Sequence, residues 1–435
     1  MRCTRIYGVA VLLMVLQWSG VIAQTTRSLE IDPSYAVTAG RIYRTVIKNP
    51  AYKFEHANYS IFIPDGVPYI KGILIHQHGC TMEGTGAATA HDLQYQAFAR
   101  KWHLAVIGPD LYPQKGSSCG DWISPEDGSG AALLDALRNF AGLTDHPELN
   151  NVPWLLWGHS GGGHWVLKMM GAYPSRIMGA FCYSAAFDPN IAYPPETGKI
   201  PVILRHAGAE DVIDCWPTAT HAFLKFRALN SFASLAYTPG QTHNLSYVRY
   251  MAIPFFEAVL AQRLPEQGSS LLKDMDTTRA WLGDTLTNQV YKLTAYKKSR
   301  EGMCLLPDAT TAATWKEYVT TGTVADKTPP PAPVALKMYA GTADTAYLTW
   351  QVYGDVESPI KYFNVYRNKQ LIGRFPESGE YQTFDLNGDN AIPVILPESR
   401  FLISTPVKKS DSFAVTAVNQ FNLESSRTTI NNRKK

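Results

Sequence analysis

The sequence predicts a doubly wound α/β domain, with helices on both faces of its sheet, followed by a small all-β sandwich. Strand-like and helix-like segments alternate between about residues 56 and 261, the pattern of a sheet wound from both sides. Within that stretch, residues 154–157 (Trp-Leu-Leu-Trp) are continuously apolar, as a central strand buried on both faces must be. After Thr328-Pro329-Pro330-Pro331-Ala332-Pro333, a stiff extended linker, the apolar period becomes two, with Leu348, Trp350 and Val352 on one face. A chain of 435 residues is also too long for one ordinary domain.

The elements follow in order. Arg2 and Arg5 precede an apolar run at 9–16, and Val21-Ile22-Ala23 offers a cleavage site, so residues 1–23 read as a signal peptide with Gln24 as the mature start. That run is short for a stable span and no later stretch approaches membrane length, so the expected location is secreted or periplasmic with no membrane partner. Strands are expected at 70–77, 104–108, 154–157, 177–183, 201–204 and 232–237. Helices are expected at 89–102, 131–140 and 247–260, which places the first domain at 24–264. Residues 265–327 form a connecting segment without clear periodicity; Trp281, Leu282, Trp315 and Tyr318 predict that it packs on the first domain. The all-β unit then spans 328–435. Phe363 and Val365, then Phe413, Val415 and Ala417, alternate in further strands, with a turn at Asn387-Gly388-Asp389.

Apolar content of 45%, charged content of 18% and a net charge of +3 exclude a disordered chain and give no electrostatic case for nucleic acid. Cys3 leaves with the signal. The remaining Cys80, Cys119, Cys182, Cys215 and Cys304 are odd in number, so at least one thiol is free or intermolecular. Cys182, in a buried strand, is the best candidate for an inert core thiol. No Cys-x-x-Cys or His-Glu-x-x-His spacing occurs, and no metal or cofactor is expected. His76-Gln77-His78 puts two imidazoles on one strand face, but a strand end running into a loop explains them better.

The chemistry centres on Gly158-His159-Ser160-Gly161-Gly162, between the buried strand at 154–157 and a helix-like run at 165–170. A nucleophile on so tight a turn needs glycines where a Cβ would clash, and the helix behind it turns backbone amides toward a developing oxyanion. A serine hydroxyl needs a base, and His243 follows the last strand in Pro239-Gly240-Gln241-Thr242-His243; His206 and His221 are less well placed. The imidazole needs a carboxylate, and the loop after 201–204 offers Glu210, Asp211 and Asp214, of which Asp211 is favoured by the order serine, acid, histidine. The expected oxyanion donors are the backbone amides of Cys80, in His78-Gly79-Cys80, and Gly161. Adjacent strand ends lie close, so a Cys80–Cys119 disulfide is expected, with Cys215–Cys304 as a weaker pairing. Trp122, Trp165 and Trp216 fall near the same edge, where they either line a substrate pocket or pack at loop bases.

On His78-Gly79-Cys80-Thr81, Cys119-Gly120-Asp121-Trp122 and the elbow at Ser160, residues 56–261 resemble the α/β-hydrolase superfamily. Within it they are similar to the secreted branch of polyhydroxybutyrate depolymerases, feruloyl esterases and acetylxylan esterases. Gly120 stands where the depolymerases have an aromatic, and His159 and Gly161 stand where they usually show leucine and alanine. The resemblance implies hydrolysis of carboxylic esters carried on a polymer: acetyl or feruloyl groups on plant polysaccharide, or a polyester. The last hundred residues resemble a fibronectin type III domain through 348–350, 362–367 and 414–419, and such modules are usually spacers or surface binders, the spacer reading being favoured. A peptidase of the same fold is the competing enzyme reading, and a non-catalytic binding or adhesion protein is the competing reading of another class.

Overall fold

The computed structural model describes residues 39–208, 211, 215–243, 247–267, 269, 271–341, 345–382 and 396–431. The signal-like segment, Glu210, Asp214 and the turn at Asn387-Gly388-Asp389 lie outside the described residues.

Eight strands form one mixed sheet: β1 (Gly40–Ile47), β2 (His56–Pro64), β3 (Gly72–Gln77), β4 (Leu104–Tyr112), β5 (Trp154–His159), β6 (Ile177–Tyr183), β7 (Val202–His206) and β8 (Ala233–Tyr237). Their order is β1-β2-β4-β3-β5-β6-β7-β8. β1, β2 and β4 pair antiparallel, and every pairing from β4 to β8 is parallel. This is the α/β sheet that the sequence predicts. Six helices pack with it: α1 (Gly86–His91), α2 (Leu93–Trp102), α3 (Ser129–Leu143), α4 (Gly161–Ala172), α5 (Cys215–Ala228) and α6 (Arg249–Arg263). β3, β5 and β6 are buried along their whole length, as central parallel strands should be.

The single helix expected at 89–102 is two. Asp92 adopts an extended ψ of 124° and its carboxylate accepts from the amides of Gln94 and Tyr95, so it caps a new helix instead of continuing the old one. β1 and β2, which open the sheet, lack a separate sequence reading: β1 precedes the alternating stretch and β2 lies at its very start.

The segment after α6 carries three short strands, β9 (Trp281–Gly283), β10 (Val290–Lys292) and β11 (Cys304–Leu306), and helix α7 (Ala309–Thr321). It covers the β8 edge of the main sheet. The Trp315 indole N–H donates to the Leu235 carbonyl (3.0 Å), the Leu235 amide to Cys304 Sγ (3.2 Å) and the Ser234 hydroxyl to the Leu305 carbonyl (3.2 Å). Backbone groups that would otherwise invite another strand are thereby occupied.

The C-terminal part contains β12 (Val334–Ala340), β13 (Ala346–Gln351), β14 (Ile360–Arg367), β15 (Gln370–Phe375), β16 (Arg400–Ile403), β17 (Ser412–Asn419) and β18 (Thr428–Asn431). They make a three-stranded sheet, β12-β13-β16, and a four-stranded sheet, β15-β14-β17-β18, both antiparallel. Leu348, Trp350, Phe363, Val365 and Val415 fill the space between them, with the Trp350 and Phe363 rings edge to face at 5.4 Å. This unit rests on the first domain. Leu93 belongs to its core, Gln94 Nε2 donates to the Val356 carbonyl (2.9 Å), and the Arg100 guanidinium lies 4.1 Å above the Tyr353 ring.

Candidate active site

Ser160 occupies the turn between β5 and α4 with φ 51° and ψ −118°, a conformation costing a non-glycine residue on the order of 1–3 kcal/mol. The surrounding backbone holds it there. A Cβ on Gly158 would lie 2.4 Å from the Gly162 carbonyl oxygen, and one on Gly162 would lie 2.1 Å from that of Gln77. Neither contact can relax by moving a side chain, so both glycines are required for the close strand–helix approach. Ser160 itself is partly exposed and therefore reachable.

Asp211 and His243 come together at the same sheet edge, from the loops after β7 and β8. His243 Nδ1 donates to Asp211 Oδ1 at 2.6 Å. Asp211 Oδ2 accepts from the Ser184 hydroxyl (2.9 Å) and the Ala207 amide (3.0 Å). Burial alone would raise the Asp211 carboxyl, but these hydrogen bonds and the His243 charge outweigh it and hold the group well below the usual carboxylate range. With Nδ1 committed, Nε2 is the nitrogen of His243 available as a base. The His243 loop also reaches back to the elbow: His159 Nε2 donates to the His243 carbonyl at 3.2 Å, and the two rings lie 4.8 Å apart. His159 in turn stacks on Tyr183 at 4.5 Å.

The other histidines are differently placed. His221 is exposed on α5. His206 is buried, and burial followed by the nearby Arg205 charge lowers its pKa from 6.5 to about 4. Folding therefore releases a proton from His206 that the unfolded chain holds below about pH 6.5. Stability should fall as pH drops from about 6.5 toward 4, by on the order of 3 kcal/mol from this residue. Asp211, with its lowered pKa, loses its contribution only below the ordinary carboxylate range. Urea midpoints measured from pH 7 to 4.5 should decline in the wild type and much less in His206→Asn.

A disulfide joins Cys80 and Cys119, with Cα atoms 5.3 Å apart. Cys182, Cys215 and Cys304 are free and buried, so the weaker pairing of Cys215 with Cys304 does not form. The Cys304 thiol instead meets the β8 backbone, and burial pushes its pKa up to about 12. Cys215 Sγ donates to the Ser184 carbonyl at 3.2 Å. The disulfide sits directly on the elbow: a Cβ on Gly161 would lie 2.2 Å from Cys80 Sγ and 3.5 Å from the Cys80 amide nitrogen. Neither the Cys80 nor the Gly161 amide is used in a hydrogen bond among the described residues. Two unspent donors close to one serine suit a developing oxyanion. Gly161→Ala should force the disulfide and the Cys80 amide aside and lower kcat by about 10²–10³-fold, the effect of losing one such donor, as read with a p-nitrophenyl ester.

The tryptophans divide. Trp122 and Trp165 are 1% exposed and belong to the core, Trp165 donating its indole N–H to Ser129 Oγ (3.0 Å). As core residues they offer no surface to a substrate, which corrects the pocket reading for both. Trp216, at the start of α5, is 47% exposed. Asp211, Cys215 and His243 have ligand-type atoms within 4.8 Å of one another, but the carboxylate and imidazole are already bonded to each other. His76 and His78 instead bond Tyr95 (3.0 Å) and Thr89 (2.9 Å). Ser184, Arg205 and Gln241 also surround the Asp211–His243 pair, and no local motif announces them.

No protein-family model matches the sequence, and no curated protein matches it. Among solved structures the chain is similar to a thermostable esterase, at 16% identity and TM-score 0.37, covering 46% of this chain and 54% of that one. It is also similar to Candida antarctica lipase A in its closed state, at 11% identity and TM-score 0.38, covering 65% and 90%. Acetyl xylan esterase from Aspergillus awamori is similar at 16% identity and TM-score 0.31, covering 42% and 76%. The chain thus spans about half the length of the thermostable esterase. Likenesses this distant say nothing about substrate.

Proposed function

We propose that this chain is a serine hydrolase that cleaves carboxylic esters through an acyl-enzyme on Ser160. The observation that carries the reading is the strained elbow at Ser160 facing a sheet edge where Asp211 holds His243 at 2.6 Å. His243 Nε2 takes the Ser160 proton as Oγ attacks the ester carbonyl, and the resulting oxyanion rests on the Cys80 and Gly161 amides. Asp211 stabilises the imidazolium and fixes its tautomer. The tetrahedral intermediate expels the alcohol, which receives the proton from His243. Water, deprotonated by the same imidazole, then attacks the acyl-enzyme and releases the acid.

The substrate class we propose is an ester carried on a polymer, an acetyl or feruloyl group on plant polysaccharide or a polyester, met outside the cytoplasm. The signal-like N-terminus and the Cys80–Cys119 disulfide support export. Among the described residues no helix is long and apolar enough to cross a membrane. The paired three- and four-stranded antiparallel sheets support a fibronectin type III-like C-terminal domain acting as a spacer. The test is hydrolysis of p-nitrophenyl acyl esters, methyl ferulate and acetylated xylan by the mature protein. Turnover of at least one class supports the reading and the preferred one identifies the branch. No turnover of any ester by folded protein overturns it.

A further inference from the structure

We infer that Ser184 and Arg205 form a positioning pair that locks the acid and the base of the site to each other. This rests on the reading of Asp211 and His243 as a catalytic couple. Ser184 follows β6, is fully buried, and holds φ at 51°, a left-handed conformation that a serine does not adopt without compensation. Its groups are used on several sides. The amide donates to the Arg205 carbonyl (2.8 Å), the carbonyl accepts from Cys215 Sγ (3.2 Å), and the hydroxyl oxygen accepts from Arg205 Nη1 (3.0 Å). A guanidinium has only donors, so the Ser184 hydroxyl proton has one direction left, toward Asp211 Oδ2 at 2.9 Å. The strain at Ser184 thus coincides with an oriented hydrogen bond to the catalytic carboxylate.

Arg205, at 1% exposure, reaches both loops with one planar fork. Nη1 also donates to the Thr242 carbonyl (3.1 Å), one residue before His243, while Nε donates to Thr238 Oγ1 (2.9 Å) and Nη2 to Gln241 Oε1 (3.3 Å). Gln241 Nε2 donates onward to the Gly322 carbonyl at the end of α7 (2.5 Å), so the covering segment is tied into the same network. Arg205 Nη1 lies 4.0 Å from Asp211 Oδ2. A buried cation is costly unless paired, and here its partners are the carboxylate and the backbone that flanks the base. Ordinary packing at this position would be met by an apolar side chain. The arginine instead holds Asp211 through Ser184 and His243 through Thr242, fixing their separation.

Three variants test this: Ser184→Ala, Arg205→Met and Arg205→Lys. Two readouts are followed, kcat and KM on a p-nitrophenyl ester, and the titration of the His243 imidazole by NMR in the resting protein. The groups facing the pair are Asp211, Tyr183 on β6, His206 on β7, His159 on β5, Cys215 on α5 and Tyr318 on α7; because the Arg205 charge also lowers His206, the His206 and His243 resonances are assigned and followed separately. Ser184→Ala should lower kcat by about tenfold or more with KM within about twofold, since ground-state binding is untouched. Arg205→Met removes a cation 4.0 Å from Asp211, which favours the imidazolium, so the His243 ring resonances should titrate at higher pH than in the wild type. Arg205→Lys should restore that titration but not kcat, because a point charge cannot span both loops. Folded Ser184→Ala with kcat within twofold of wild type, together with an unmoved His243 titration in Arg205→Met, overturns the assignment. Should Arg205→Met fail to fold, the kcat of Ser184→Ala decides alone. If the wild type hydrolyses no ester, the function proposed above fails, while the NMR titration still decides whether Arg205 acts on His243.

Discussion

Ser160→Ala should lower kcat by about 10⁴-fold or more while leaving the fold intact. The variant removes one oxygen and keeps the Cβ, so the strained φ of 51° is borne as before and the glycine contacts around it are unchanged. The residual rate would come from the Cys80 and Gly161 amides polarising the ester for attack by water. Steady-state hydrolysis of a p-nitrophenyl ester, with thermal unfolding as a control, measures both halves of the expectation. A melting temperature within a few degrees of wild type would separate lost chemistry from lost structure.

Asp211→Asn should cost about as much, roughly 10⁴-fold in kcat, for a different reason. The Oδ2 position receives the Ser184 hydroxyl and the Ala207 amide, and both are donors there. A carboxamide in this site must therefore place its oxygen at Oδ2 and its NH₂ toward His243 Nδ1. The imidazole then accepts at Nδ1, carries its proton on Nε2, and cannot take a proton from Ser160. The geometry would survive and the tautomer would be wrong. Rate measurement with NMR of the His243 ring nitrogens checks both points: a protonated Nε2 in a folded, nearly inactive variant is the expected result.

The elements that position the site were largely readable because their signals are local. The four-residue apolar run at 154–157 and the glycines at 158, 161 and 162 are adjacent in sequence, so the pattern is visible locally even though Gly161 and Gly162 are also demanded by the approach of Cys80 and Gln77. The loops were harder. Glu210, Asp211 and Asp214 are chemically equivalent in a sequence, and a choice among them rests on chain order until the partners of Asp211 are seen. Ser184 and Arg205 had no signal at all. They meet because β6 and β7 run parallel with Tyr183 opposite Arg205, a register that no stretch of sequence contains. Trp122 and Trp165 mislead for a related reason: an aromatic at a loop base reads the same whether it faces solvent or core, and both are buried. Residues 265–327 hid their structure because β9, β10 and β11 have three residues each, too few to show a period.

The most direct test of the central claim is covalent labelling of the folded protein with a small activated phosphonate ester, read by intact mass and peptide mapping. An activated serine displaces the leaving group and keeps the phosphonyl group, with no assumption about the natural substrate. The account predicts one label per chain, on the peptide containing Ser160, absent in Ser160→Ala and greatly slowed in Asp211→Asn. A folded wild-type protein that takes no label, or takes it on another residue, would contradict it.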